Sequence, residues 1–216
     1  KLHKTLKNRN FDGVIHFAAK SLVNESVTQP ELYYRNNIIG TLNLLREMKK
    51  NNITDLVFSS TASIFGNPIS EKVAEDHPKN PLSPYGRTKL MVENILEDVC
   101  EADDFNVTCL RYFNAAGAHE SGLIGEMHEP ETHLIPNVLN SALMDKKALK
   151  IFGDDYPTID GTCVRDYVHV SDLAQAHLLA LQREKKAQGF SAFNLGNGFG
   201  FSVLEILNEF IKVSSI

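Results

Sequence analysis

Short apolar runs alternate with amphipathic helical segments along the first half of the chain, and this alternation restricts its fold more than any other feature. The apolar runs at residues 14–19, 56–60 and 107–113 are typical of buried strands. Between them, the spacing predicts a helix from residue 30 to about 50 and a second helix with Ser83 as N-cap and Pro84 at its first position. Connections of this length join parallel strands, so the pattern predicts a doubly wound α/β sheet with helices on its faces.

The second half of the chain differs from the first in composition and in hydrophobic periodicity. Residues 118–136 are rich in Gly, Glu, His and Pro and show no periodicity. Beyond them we expect a helix over 136–147, short strands at 150–152 and 193–195, and an extended segment over 164–170. Ser171 is expected to cap one further helix, and the capping box from Ser202 to Glu205 predicts another.

Composition excludes several classes of protein. The chain has 216 residues, of which 43% are hydrophobic and 23% charged, proportions typical of a globular protein. Its net charge of -5 argues against a nucleic-acid partner, and no apolar run reaches the roughly 18 residues of a membrane span. The three cysteines fit no metal-binding spacing, and the chain starts without a secretory leader, so we expect a cytoplasmic location.

The sharpest local signal is the pair Tyr85 and Lys89, which lie four residues apart and therefore on one face of the predicted second helix. The same face continues through Val92, Leu96 and Val99, which predicts that it packs on the sheet. A neighbouring ammonium favours phenolate, and a base near pH 7 needs a phenol pKa roughly 3 units below its usual value near 10. The alternative is an ordinary amphipathic helix with a partly exposed Tyr and Lys.

Hydroxyl side chains end the strand that precedes this helix, at Ser59, Ser60 and Thr61. Sites in open α/β sheets lie at the carboxyl ends of strands, so a hydroxyl here can hydrogen-bond the substrate oxygen that Tyr85 addresses. The alternative is that these side chains only satisfy backbone groups at the strand end. Strand-end hydroxyls followed by a helix-borne Tyr and Lys form a more specific pattern than either half alone.

Segments over nearly the whole chain resemble the extended short-chain dehydrogenase/reductase family. They include VIHFAAKSLVNESV, VFSSTASIFG, PLSPYGRTKLMVE and, as the most specific, DYPTIDGTCVRDYVHVSDLA. The resemblance implies a Rossmann-like fold, NAD as cofactor, a homodimer for the full-length protein and a UDP-sugar substrate. Among the family's activities it points to isomerisation, the 4-epimerisation of UDP-glucose and UDP-galactose by transient oxidation at sugar C4, as in galactose metabolism.

Carried over residue by residue, the resemblance also implies site roles. Tyr85 would act as base and acid, Lys89 would lower its pKa and hold the nicotinamide ribose, and Thr61 would hydrogen-bond the sugar 4-oxygen. The implied cofactor contacts are Phe17, Ala18, Ala19, Asn36, Thr61, Tyr85, Lys89 and Phe113. The implied substrate contacts are Thr61, Tyr85, Asn114, His133, Leu134, Ile151, Phe152 and Arg165.

Other chemistries remain open or are disfavoured. Related dehydratases carry an Asp-Glu pair after the strand-end hydroxyl, whereas Ala62 and Ser63 stand here, so dehydration lacks proton carriers. Epimerisation of UDP-xylose or UDP-N-acetylglucosamine, or a non-catalytic NAD-binding role, stays an alternative, and Arg165 with Asp166 could equally be a structural ion pair. The histidines of residues 119–133 do not form an HExxH helix motif, so no metal site is expected.

The Gly-rich turn that opens a dinucleotide-binding fold does not occur near the start of the chain. We therefore expect an internal fragment that is inactive alone. We expect residues 1–197 to be an NAD-dependent epimerase/dehydratase domain truncated at its N-terminus, with residues 118–163 largely facing the substrate. Residues 198–216 would begin a smaller, truncated substrate-binding lobe.

Overall fold

Strands and helices alternate along the chain in the computed structural model, which describes residues 2–7, 9–144, 149–183 and 189–215. The strands, in chain order, are β1 (Val14–His16), β2 (Asp55–Ser59), β3 (Asn106–Tyr112), β4 (Asn114–Ala116), β5 (Val164–Arg165), β6 (Tyr167–His169), β7 (Gly189–Leu195) and β8 (Phe201–Ser202). The α-helices are α1 (Leu2–Leu6), α2 (Val23–Thr28), α3 (Pro30–Tyr33), α4 (Gly40–Lys50), α5 (Pro84–Ala102), α6 (Leu134–Met144), α7 (Val170–Leu181) and α8 (Val203–Ser214). Among the described helices, none combines the length and the apolar content that crossing a bilayer requires.

The chain divides into two units. The first consists of Lys1–Tyr112 and Ala174–Leu195, and it contains a parallel sheet in the order β1-β2-β3-β7. Its core lies between β2, β3, α4 and α5, where Leu45, Phe58, Val92, Leu96 and Val107 are buried. The α/β fold with a parallel sheet that the sequence predicts is confirmed.

The second unit consists of Phe113–Leu173 and Gly196–Ile216. Its strands form two pairs, β4 with β6 in parallel and β5 with β8 in antiparallel orientation. Helix α8 starts at the predicted capping box, in which Ser202 Oγ accepts a hydrogen bond from the Glu205 N–H and the Glu205 carboxylate accepts one from the Ser202 N–H.

A π-helical segment, Tyr34–Ile39, joins α3 to α4 inside the helix predicted for residues 30–50. Its wider turn shifts the faces that follow. In the regular helix that follows, Leu44 and Leu45 are buried, whereas Leu42 is 41% exposed.

Two further sequence predictions differ from the structure. Residues 150–152 form no strand, and Gly153 directly after them has a φ of 92°. Helix α7 begins at Val170, one residue before the predicted cap Ser171, and the Ser171 N–H donates to Nδ1 of His169 over 3.2 Å. The His169 imidazole therefore caps α7, where the sequence predicted the Ser171 hydroxyl. The predicted helix over 136–147 corresponds to α6, and its extension over residues 145–147 lies outside the described residues.

Asn37 fastens the π-helical segment to the rest of the first unit and is 3% exposed. Its Oδ1 accepts from the Lys20 N–H at 2.8 Å, and its Nδ2 donates to the Lys20 carbonyl at 3.1 Å and to Thr88 Oγ1 at 3.0 Å. The side chain therefore links the loop after β1, the π-helical segment and α5.

We expect Asn37→Ala to lower the free energy of unfolding by about 1–3 kcal/mol, because it leaves part-buried backbone groups of Lys20 and the buried Thr88 hydroxyl without their partner. Urea unfolding of this chain measures the change. Asn43→Ala, on the exposed side of α4, is the matched control and should change stability by less than about 0.5 kcal/mol. Equal effects of the two variants would contradict the role given to Asn37.

Candidate active site

Three of the predicted site residues, Thr61, Tyr85 and Lys89, come together where β2 ends. Thr61 follows the strand and caps the short 3-10 turn Ala62–Ile64, with its Oγ1 accepting from the Ser63 N–H at 3.2 Å. Tyr85 is the second residue of α5 and hydrogen-bonds the Thr61 side chain. Lys89 follows one helical turn later, with Nζ 6.0 Å from the centre of the Tyr85 ring.

Lys89 is a buried ammonium, only 4% exposed. Its Nζ donates to the Ser59 carbonyl over 2.6 Å and lies 4.7 Å from the centre of the Phe58 ring, a favourable cation–π distance. Burial lowers the pKa of Lys89 to about 8, while the nearby Cys109 and Glu93 act in the opposite direction. The lysine is thus poised to carry or release its charge near neutral pH.

Burial acts on the phenol as well. It raises the pKa of Tyr85 to about 12, against the hydrogen bond from Thr61, which lowers that pKa. The phenol in this chain is therefore a weaker acid than a free one. The lowering expected from Lys89 together with a positively charged nicotinamide ring stays a prediction for the NAD complex.

A buried ion pair, Glu93 with Arg111, lies next to these three residues in the first unit. Both side chains are 2% exposed, and Arg111 Nη2 lies 2.7 Å from Glu93 Oε2. Arg111 Nε donates to both carboxylate oxygens, at 3.0 and 3.1 Å, and Ser60 Oγ donates to Oε1 at 2.5 Å. Because Ser60 directly precedes Thr61, the ion pair fixes the backbone from which Thr61 projects.

Gly86 allows α5 to begin close to the turn that carries Thr61. A Cβ at this position would stand 2.7 Å from the Ser63 carbonyl oxygen and 3.0 Å from a Pro81 carbon. Sequence reasoning missed both Gly86 and Glu93. Both could have been found in the sequence of the predicted helix. Gly86 is a glycine between Tyr85 and Lys89, and Glu93 is a carboxylate one turn beyond Lys89 on the buried face.

The predicted cofactor contacts of the first unit lie on two elements. Phe17, Ala18 and Ala19 follow β1, and because β1 and β2 are parallel neighbours they lie at the same edge of the sheet as Thr61. The Phe17 ring is 57% exposed and stacks on His177 with ring centres 4.5 Å apart. Asn36 is an exposed residue of the π-helical segment, and its Nδ2 donates to Asn37 Oδ1.

The remaining predicted contacts lie on separate segments of the second unit. Phe113 packs against Gly196, where a Cβ would stand 3.0 Å from the ring. Asn114 begins β4 and its N–H donates to the Asp166 carbonyl. Ile151 helps to line a cleft of about 360 Å³ with Gly153, Asp154, Asp160, Thr162 and Leu204.

Four other predicted contacts are Phe152, which is 83% exposed, Arg165 in β5, and His133 with Leu134 at the start of α6. Arg165 Nη1 donates to the Val164 carbonyl at 2.8 Å. The carboxylate of Asp166 accepts from the backbone N–H groups of Asn197 and Gly198. Asp166 thus has backbone partners, which weakens the alternative of a structural Arg165–Asp166 pair.

Comparison with known proteins gives the class of protein. Residues 1–196 match the family model described as the NAD dependent epimerase/dehydratase family, and the chain belongs to that family.

Relatives within the family align over nearly the whole of this sequence. The UDP-glucose 4-epimerase of Lactobacillus helveticus is 51% identical over 213 residues, which are 99% of this chain and 64% of the relative. The crystal structure of UDP-glucose 4-epimerase from Brucella ovis with NAD superposes with a TM-score of 0.93 at 45% identity, over 98% of this chain and 65% of that chain. The Bifidobacterium longum UDP-glucose 4-epimerase with NAD+ and UDP gives 0.94 at 43%, over 99% and 64%. The chain thus spans less than two thirds of the length of these relatives.

Breaking the buried ion pair should be costly. We expect Glu93→Gln to lower the free energy of unfolding by about 3–5 kcal/mol, because the Arg111 guanidinium stays buried without its counter-charge. Glu97→Gln, one turn further along α5 and exposed, is the matched control and should be nearly neutral. Urea denaturation of both variants measures the difference, and a loss below about 1 kcal/mol for Glu93→Gln would contradict this role.

The lowered pKa of Lys89 makes stability depend on pH. The ammonium titrates near 10.5 when unfolded and at about 8 when folded, so between these values the unfolded chain binds more protons and stability rises with pH. We expect Lys89→Met to remove this rise of about 3 kcal/mol, measured by urea unfolding from pH 8 to 10.5. The exposed Lys79→Met should retain it. The same slope in both variants would refute the assignment.

Proposed function

We propose that the whole protein is an NAD-dependent 4-epimerase that interconverts UDP-glucose and UDP-galactose. The arrangement of Thr61, Tyr85 and Lys89 carries the proposal. It places a phenol, a hydroxyl and a buried ammonium together at the carboxyl edge of a parallel sheet, where ligands of such sheets bind. The relatives support the substrate and the cofactor, since the similar solved structures are UDP-glucose 4-epimerases in complex with NAD or with NAD+ and UDP.

The residues at this edge fit a dinucleotide. The small side chains of Ala18 and Ala19 and the exposed ring of Phe17 offer an apolar surface beside the strand ends. Lys89 supplies a buried ammonium that can donate to a ribose hydroxyl. The resemblance implies Asn36 and Phe113 as further cofactor contacts. When bound at this edge, NAD would supply reversible hydride transfer at sugar C4.

Tyr85 would take the proton from the sugar 4-hydroxyl as the carbon is oxidised and give it back on reduction. Thr61, which hydrogen-bonds the phenol, would hold the 4-oxygen in reach. Lys89 would favour the phenolate, because a positive charge nearby opposes the effect of burial on the Tyr85 pKa. These roles leave no net redox change, since the hydride leaves and returns at one carbon.

The second unit would hold the UDP-sugar through Asn114, His133, Leu134, Ile151, Phe152 and Arg165. The guanidinium of Arg165 suits pyrophosphate oxygens because its planar fork matches them. Binding energy from the nucleotide would keep the intermediate bound while the sugar turns. The family resemblance supports a homodimer, and the free thiols of Cys100, Cys109 and Cys163 support a reducing, cytoplasmic compartment.

Product analysis tests this function. The whole protein incubated with UDP-galactose should yield UDP-glucose, seen in the NMR signals of the anomeric protons, without a build-up of free NADH. Tyr85→Phe should lower turnover by about 10²–10⁴-fold while the protein stays folded, because proton transfer at the 4-oxygen is lost. The half-buried Tyr34→Phe is the matched control and should retain activity.

Three outcomes would count against the proposal. A 4-keto-6-deoxy sugar as product would show that the protein catalyses dehydration and not epimerisation. Ala62 and Ser63 after Thr61 argue against dehydration. Wild-type turnover by Tyr85→Phe would remove the proposed base. Turnover of UDP-xylose alone would keep the mechanism and change the substrate.

A further inference from the structure

Four metal-ligating side chains converge in the irregular segment between β4 and α6. Glu126, His128, Glu131 and His133, called here the His–Glu cluster, each bring one ligand atom into a group whose members all lie within 4.8 Å of one another. The proposed function uses only His133 of these four. Two imidazole nitrogens with two carboxylate oxygens are a donor set typical of zinc.

The distances within the cluster fit a tetrahedral ion. Zinc at about 2.0–2.1 Å from each ligand places the ligand atoms about 3.3 Å apart. Nδ1 of His133 lies 2.6 Å from Glu126 Oε1 and 2.9 Å from Glu131 Oε1. Nδ1 of His128 lies 3.0 Å from Glu126 Oε1 and 3.8 Å from Glu131 Oε2. These separations lie on both sides of the value that zinc requires, so small side-chain movements would bring four ligands to one ion.

Charge also favours a cation at this place. Two carboxylates as close as those of Glu126 and Glu131 repel each other unless a positive charge lies between them. Both imidazoles present Nδ1 to the carboxylates, and Nδ1 is also the atom that each can offer to a metal. The side chains of His128 and His133 are 50% and 43% exposed, which leaves a path for an ion to enter.

The histidines of this segment lack the HExxH spacing, which would place two metal ligands on one face of a helix. Residues 126–133 form no helix, and the fold of the loop rather than a helical period brings the four side chains together. We propose that the His–Glu cluster binds one Zn²⁺ ion.

Zinc at this site is compatible with the substrate contact proposed for His133, a point that rests on the proposed function. A metal on Nδ1 places the ring proton on Nε2, and that N–H can donate to a phosphate oxygen. The ion would therefore fix the tautomer that suits an anionic substrate. Zinc binding itself does not depend on that function.

The test is calorimetric titration of this chain with ZnCl₂ at pH 7.5. Cys100→Ser and Cys163→Ser are present throughout to remove the partly exposed thiols. We expect one equivalent of zinc to bind with a dissociation constant of about 1 μM or tighter, on the affinity scale of specific sites. Tetrahedral d–d absorption on titration with CoCl₂ reports the coordination geometry.

Substitutions separate this site from adventitious binding. His128→Ala and Glu131→Gln should each weaken zinc binding at least about 10-fold, the scale of losing one metal ligand. His119→Ala, an exposed histidine of the same segment whose Nδ1 pairs with Ser121 Oγ, is the matched control and should bind as the parent does. Circular dichroism verifies that each variant is folded, and variants that bind less zinc with unchanged spectra support the proposal.

Acidification gives a second readout. At pH 5.5 the affinity for zinc should fall on the order of 100-fold, because protons compete with the metal for the nitrogens of two imidazole ligands. The proposal is overturned if the parent chain shows no saturable binding at pH 7.5. It is equally overturned if His128→Ala binds zinc as tightly as the parent, or if His119→Ala loses as much affinity as His128→Ala.

Discussion

The ion pair of Glu93 and Arg111 is the interaction on which the first unit's site depends. Two buried charges stabilise a fold only when their hydrogen-bonding groups are satisfied, because removing them from water is costly. Here the carboxylate accepts from Arg111 and Ser60, and Arg111 Nη1 also donates to the Glu75 carbonyl. These contacts hold α5, β3 and the residue after β2 at fixed positions. Tyr85 and Lys89 project from α5, and Thr61 directly follows Ser60.

Burial is the common cause of the electrostatics around this ion pair. It raises the pKa of Tyr85 and lowers those of Lys89 and His16, the last to about 4. Each group is thus driven towards its neutral form, as a surrounding of low polarity requires. In such a surrounding an added positive charge acts strongly, because little water screens it. The chain therefore supplies a site of low polarity around Tyr85, and the positive charge of a bound ligand would lower the pKa of its phenol.

Local rules predicted those parts of the structure that depend on local sequence. The parallel sheet, the start of α5 at Ser83 and Pro84 and the capping box at Ser202 followed from periodicity and capping chemistry. Features that depend on distant partners did not. The π-helical segment and the convergence of Glu93 with Arg111 depend on tertiary contacts. An apolar pair such as Ile151 with Phe152 forms no strand without a neighbour to pair with.

The order of strands in the first sheet has a consequence for how the chain is made. Strand β7 pairs with β3, and the two are separated by about 80 residues that include most of the second unit. Closing so long a loop costs more entropy than joining successive strands and slows the pairing. On a ribosome, β1 to β3 would be synthesised well before β7, so the edge of β3 that pairs with β7 would stay unpaired in the meantime. An unpaired edge is a template for strands of other molecules, and this interval is when a nascent chain of this kind is most exposed to mispairing.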